Sequence, residues 1–105
     1  MAQFDVHRTN SRRPGGPPFL VVVQSSQFRD VPRRVAIPLV PRAVIGPLDS
    51  RLSPCFTIEG VDVVLATLEV SSLPLAAFGE LVGNLSARGD EIIRALDLVV
   101  SRAWD

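Results

Sequence analysis

Residues 55–67, CFTIEGVDVVLAT, hold the reading that decides the fold. Two β-prone runs, Cys55 to Ile58 and Val61 to Thr67, flank the dipeptide Glu59-Gly60. A two-residue spacer ending in glycine predicts a tight antiparallel hairpin, because such turns need backbone conformations that glycine adopts freely. Upstream, Phe19 to Gln24 is a β-branched apolar run, read as a strand buried on both faces. Arg34 to Leu39 reads as another strand, with Val35, Ile37 and Leu39 on one face and Pro38 marking an edge or a bulge. Gln3 to His7 alternates, Phe4 and Val6 against Gln3, Asp5 and His7, as a half-buried strand does. Pro41 to Pro54 reads as a long connection with one short helical turn. Eight of the nine prolines lie in residues 1–54, which excludes long helices there.

Downstream the pattern changes. Glu69 to Val82 is interrupted by Pro74 and Gly79, and yields one short strand around Leu73 to Ala77. Ser86 to Trp104 contains no proline and follows a helical period. Ile92, Ile93, Ala95, Leu96, Val99, Val100, Ala103 and Trp104 share one half of the wheel; Leu98 intrudes on the polar half. Ser86 or Asp90 is the expected N-cap, and Gly89 costs about 1 kcal/mol inside a helix. A helix of about 19 residues spans about 28 Å. The expected fold is mostly β: a small antiparallel five-stranded, barrel-like sheet with one C-terminal helix packed on it, as a single domain over residues 1–105. A helix apolar over half its circumference either makes a wide contact with its own core, the simpler reading, or has more to bury than one small sheet covers, which favours a homodimer.

Composition narrows the function. The 105 residues carry 11 basic and 11 acidic groups, so the net charge is zero. Binding of nucleic acid by bulk charge normally needs a basic excess, so no direct nucleic-acid binding is expected. All 11 basic residues are arginine, suited to bidentate pairing at interfaces. One cysteine, Cys55, and one histidine, His7, exclude an internal disulfide and leave too few ligands for a zinc site. No cofactor is implied. No membrane span or signal peptide is read, and a cytoplasmic location is expected.

Chemistry is sparse. The phosphate-cradling, zinc-protease and nucleophile-elbow motifs are missing from the sequence. A catalytic triad would have to use His7, and the plainer reading is an exposed strand histidine. The doublets Arg12-Arg13 and Arg33-Arg34 read either as solvated turns or as a grip on an acidic partner segment.

Three stretches carry a resemblance: Gln3-Phe4-Asp5-Val6, Val23-Gln24-Ser25, and Asp30 to Leu39. Leu73-Pro74, Phe78-Gly79-Glu80, Leu85-Ser86-x-Arg88 and Asp90-Glu91-Ile92 follow in the same order. Together they resemble CcdB-type toxins of toxin–antitoxin modules over essentially the whole chain. The resemblance implies a homodimeric, non-enzymatic toxin. It binds the DNA gyrase A subunit, inhibits the topoisomerase and is neutralised by a cognate antitoxin. It assigns the gyrase-facing surface to Gln3, Phe4, His7, Ser25, Gln27, Phe28, Asp97, Ser101 and Trp104, and antitoxin contacts to Arg12, Arg13, Arg33 and Arg34. The C-terminus departs from the family pattern of tryptophan, glycine and isoleucine: Ser101, Arg102 and Ala103 occupy those places, and Trp104 follows. Two other readings stand beside it: an endoribonuclease of the sibling barrel family, and a diverged, non-toxic antitoxin-binding protein.

Overall fold

The computed structural model describes residues 1–10, 15–45 and 49–101. Its strands are β1 (Asp5–Thr9), β2 (Phe19–Val22), β3 (Arg33–Pro41), β4 (Cys55–Ile58), β5 (Val61–Leu65), β6 (Ser71–Pro74) and β7 (Phe78–Asn84). One helix, α1 (Gly89–Val100), follows them. Every pairing is antiparallel, in the order β4-β5-β3-β2-β1-β7, with β6 added along β3. The sheet therefore has seven strands, not five. The added ones come from the segment that Pro74 and Gly79 obscure. Ser71–Pro74 pairs with β3, Leu75–Ala77 forms a 3-10 turn, and Phe78–Asn84 pairs with β1.

The Glu59-Gly60 hairpin is present, with both turn residues at positive φ (49° and 77°). These values fit the turn that follows the right-handed twist of its strands. The sheet curls into a half-barrel. In a flat sheet β5 and β1 would stand about 14 Å apart. Yet Arg8 of β1 pairs with Glu59 of the β4–β5 turn. Inside the curl lie Val6, Phe19, Val21, Ile37, Leu39, Phe56, Ile58, Val63 and Leu65. Ile92 and Ala95 of α1 close this core. A second cluster, Leu20, Val22, Ala36 and Phe78, occupies the opposite face of the sheet. The Phe19–Val22 strand is thus buried on both faces.

Pro38 is neither at an edge nor in a bulge. It sits within β3, paired with Leu20 of β2. On its other side β6 pairs with residues 33–36 and β5 with residues 39–41, so no strand faces Pro38 there. Its carbonyl accepts from Ala66 in the crossing between those strands. In an antiparallel strand a residue's N–H and C=O point the same way. The missing proline N–H therefore faces a gap where the ladder has no acceptor to leave unpaired.

Both ends of the chain differ from expectation. β1 begins at Asp5 instead of Gln3, because Phe4 adopts φ 70° in a turn closed by the Asp5 amide on the Ala2 carbonyl (3.1 Å). The helix is 12 residues long, about 18 Å by its rise. Arg88 holds the N-cap position with no side-chain cap, and Ser86 instead opens a 3-10 turn. At the other end Ser101 is extended (ψ 149°) and stops the helix at Val100. Only Gly89, Ile92 and Ala95 are buried on it; Ile93, Leu98 and Val100 stay exposed.

Candidate functional site

Gln3, Ser25, Gln27 and Phe28 come together. After β2 the chain makes a 3-10 turn, Ser26–Phe28. The Ser25 hydroxyl accepts from the Gln27 amide (3.4 Å), and the Ser25 carbonyl from the Phe28 amide (3.1 Å). The Gln3 amide donates to the Ser26 hydroxyl (3.3 Å), and the Gln3 side chain to the Val23 carbonyl (3.1 Å). Gln24 braces the turn from behind: its Nε2 donates to the Phe28 carbonyl (3.0 Å) and its Oε1 accepts from the Val35 amide (3.0 Å). The Phe28 ring is left 54% exposed on this braced turn. Sequence reasoning missed Gln24. The available signal was a lone amide at the end of an apolar strand.

Asp97 and Ser101 lie elsewhere, Asp97 on the last turn of α1 and Ser101 just past its end, where the Ser101 amide donates to the Asp97 carbonyl (2.7 Å). With Arg94, Leu98, Arg51 and Pro54 they line a groove of about 490 Å³ between the helix and the segment before β4. At its rim Arg51 donates to both Asp49 carboxylate oxygens (3.2 and 2.9 Å). That hydrogen bonding lowers the Asp49 pKa to about 2. The sign follows: an acid depressed on folding stabilises above its unfolded pKa, and the contribution fades as pH falls through about 2. NMR titration is expected to place the Asp49 midpoint near pH 2, and Arg51→Ala to return it towards the ordinary value of 3.8. A wild-type midpoint near 3.8 would mean that the pair does not form in solution.

Phe4 and His7 do not project from the surface. Phe4 packs beside the main core. His7, expected to be exposed, is 7% exposed, because its face of β1 carries the second cluster. Its Nδ1 lies 3.0 Å from the Gly79 carbonyl and must carry the proton, since a carbonyl only accepts. Its ring meets Phe78 edge-on.

Of the arginine doublets, Arg33 is exposed and donates to the Ser72 hydroxyl and carbonyl (2.9 and 2.8 Å). Arg34 is buried, and its guanidinium donates to the carbonyls of Arg29, Val31 and Arg33. It ties down the loop before β3. Arg12, Arg13 and Trp104 lie outside the described residues.

Arg88 has a role that its place in a motif did not reveal. Its guanidinium stacks 4.1 Å over the Phe56 ring, donates to the Cys55 carbonyl (2.9 Å), and pairs with Glu91. It fastens the start of α1 to β4. The hydrogen bond from Arg88 also holds the Glu91 carboxyl below its ordinary pKa.

Among the described residues no three His, Cys, Asp or Glu side chains group as metal ligands, and no helix is long and apolar enough to cross a membrane. The curled sheet and its one helix define a small half-barrel protein. The chain belongs to the CcdB family, toxins of toxin–antitoxin modules: the family model described as CcdB protein matches residues 3–101. No curated protein matches the chain. Solved structures share the fold, two endoribonucleases among them. An endoribonuclease in complex with its cognate antitoxin, from Mycobacterial species, superposes with TM-score 0.77 at 15% identity, covering 100% of this chain and 99% of that one. An endoribonuclease from Mycobacterial species gives TM-score 0.71 at 12% identity, covering 100% of this chain and 95% of that one.

Proposed function

We propose that this protein is a gyrase-directed toxin. It acts in the cytoplasm as a homodimer, binds the DNA gyrase A subunit, inhibits topoisomerase activity without being an enzyme, and is neutralised by a cognate antitoxin. The observation that carries the reading is the family match over residues 3–101, which takes in the patch of Gln3, Ser25, Gln27 and Phe28. An aromatic ring on a turn already braced by hydrogen bonds loses little freedom on binding, which is how interface anchors gain affinity. Asp97, Ser101 and Trp104 would add a second contact region at the chain's end. The uncovered Ile93, Leu98 and Val100 support a second copy as partner. Arg12, Arg13 and Arg33 are proposed to meet an acidic antitoxin segment. Arg34 would serve from within, by shaping the loop beside Arg33.

Pull-down of the gyrase A subunit with purified protein tests the reading directly. Phe28→Ala is expected to weaken that binding about 30-fold, the equivalent of about 2 kcal/mol, and to abolish growth arrest. Its thermal midpoint should hold, since the ring is exposed. Undiminished binding by the variant would remove Phe28 from the interface. In sedimentation, a species of twice 11.4 kDa is expected, and a stable monomer at micromolar concentration would overturn the dimer.

The two endoribonucleases with this fold favour a second reading, RNA cleavage. With His7 buried and its Nδ1 engaged, such chemistry would have to come from other groups. RNA cleavage by protein that fails to bind gyrase would replace the first reading with this one. Neither activity, together with antitoxin binding and no growth arrest, would identify a diverged antitoxin-binding protein.

A further inference from the structure

We infer that Phe4 is a positioning residue for the surface formed by Gln3 and the Ser25–Phe28 turn, holding that surface from beneath instead of touching the target. The inference deepens the gyrase-directed reading, on which its binding measurement rests.

Phe4 stands third in the four-residue turn Ala2–Asp5, at φ 70°. Glycine or asparagine normally fills such a left-handed position, and a bulky side chain there is an outlier. Strain of this kind persists only where the surroundings over-determine it. Here they do. The ring lies against Gly89, and a Cβ on that glycine would fall 2.6 Å from Cε2 and 2.9 Å from Cζ. The ring thus fills the space that the glycine leaves open, facing the helix.

The backbone around Phe4 joins four elements. Its amide donates to the Val22 carbonyl (2.6 Å) and its carbonyl accepts from the Leu85 amide (2.9 Å). Gln3, one residue earlier, reaches Ser26 and Val23, and its own carbonyl accepts from the Asn84 side chain (3.2 Å). The left-handed turn at Phe4 takes Gln3 off the line of β1 and brings its amide to Ser26. If residue 4 returned to an extended conformation, Gln3 would leave the turn that carries Phe28. The ring on Gly89 opposes that return.

Phe4→Gly separates the two contributions, because it keeps the left-handed backbone accessible and removes only the ring. Two quantities are measured on the full-length variant: backbone amide order parameters at Ser26, Gln27 and Phe28 without partner, and affinity for the gyrase A subunit. The order parameters are expected to fall from about 0.85, typical of rigid backbone, to below about 0.6. Affinity is expected to drop about tenfold or more, although every proposed contact residue is intact. Weaker binding with unchanged order parameters would make Phe4 a direct contact and overturn the inference. No change in either would also overturn it. Should Phe4→Gly fail to fold, Phe4→Leu is read by the same two measurements. If the wild-type protein does not bind gyrase, the functional reading falls, and the order parameters alone still decide whether Phe4 holds the turn.

Discussion

Ile92→Ala is expected to lower the stability of the folded chain by about 2–5 kcal/mol, the usual cost of emptying a buried aliphatic site. Ile92 is 0% exposed and packs into the core enclosed by the curled sheet. The helix has few other holds. Its remaining buried residues are Gly89, with no side chain, and Ala95, with one carbon. Twelve residues are also too few for a helix to persist alone in water. Small domains typically hold only about 5–15 kcal/mol in total, so the loss is a large share. Urea unfolding followed by circular dichroism should show a lower midpoint with the slope preserved. Arg94→Ala, on the same helix but at an exposed side chain outside its apolar face, should cost no more than about 0.5 kcal/mol. A cost below about 1 kcal/mol for Ile92→Ala would mean that the helix is held chiefly by Arg88 and its neighbours.

Gly89→Ala sets two effects against each other. In an open helix the change gains up to about 1 kcal/mol. Here the new carbon would meet the Phe4 ring at 2.6 Å, well inside contact distance. The Phe4 backbone is held to Val22 on one side and Leu85 on the other, so the ring can yield only by leaving its packed rotamer beside the core. Overpacking of this kind costs about 1–3 kcal/mol, so the clash wins and a net loss of about 1–2 kcal/mol is expected. A double-mutant cycle gives the sharper result. With Phe4→Ala in place, Gly89→Ala should become neutral or stabilising, because the obstacle is gone. If Gly89→Ala stabilises the otherwise unaltered protein, the ring does not rest on the glycine in solution.

These two glycine and phenylalanine positions also mark where sequence reading stops. The Glu59-Gly60 hairpin was legible because turn chemistry is local. So was the doubly buried Phe19–Val22 strand, a run with no polar residue. Gly89 looked like a weakness in the helix, since propensity takes no account of a ring arriving from residue 4. Pro38 looked like an edge marker, yet β3 is internal and the proline faces the gap between two different partners on the same side. Phe4 matched the alternation of its neighbours, and only the folded backbone reveals its left-handed turn. The strands β6 and β7 were compressed into one because Pro74 ends the first and Gly79 interrupts the second. For the site, the family resemblance assigned Gln3 and the turn at residues 25–28 to one surface, and the structure brings them within hydrogen-bonding distance. The resemblance did not reveal that Arg34 and His7 turn inward, because burial depends on what packs over each strand face.

The pairing of Arg88 with the Cys55 carbonyl has a consequence for how the protein behaves in crowded solution. The outer strand of a sheet offers a row of unused backbone groups to any passing chain. Here β4 is four residues long, and one of its carbonyls already receives the Arg88 guanidinium. At the other end of the sheet β7 is irregular, with two register shifts against β1. Neither margin is a long, straight template for strand addition. A chain whose charges sum to zero has little electrostatic repulsion to keep its copies apart. Protection from fibrous aggregation therefore falls to the shape of its margins, β4, β7 and the four-residue β6 that ends in Pro74, and a single guanidinium guards the first of them.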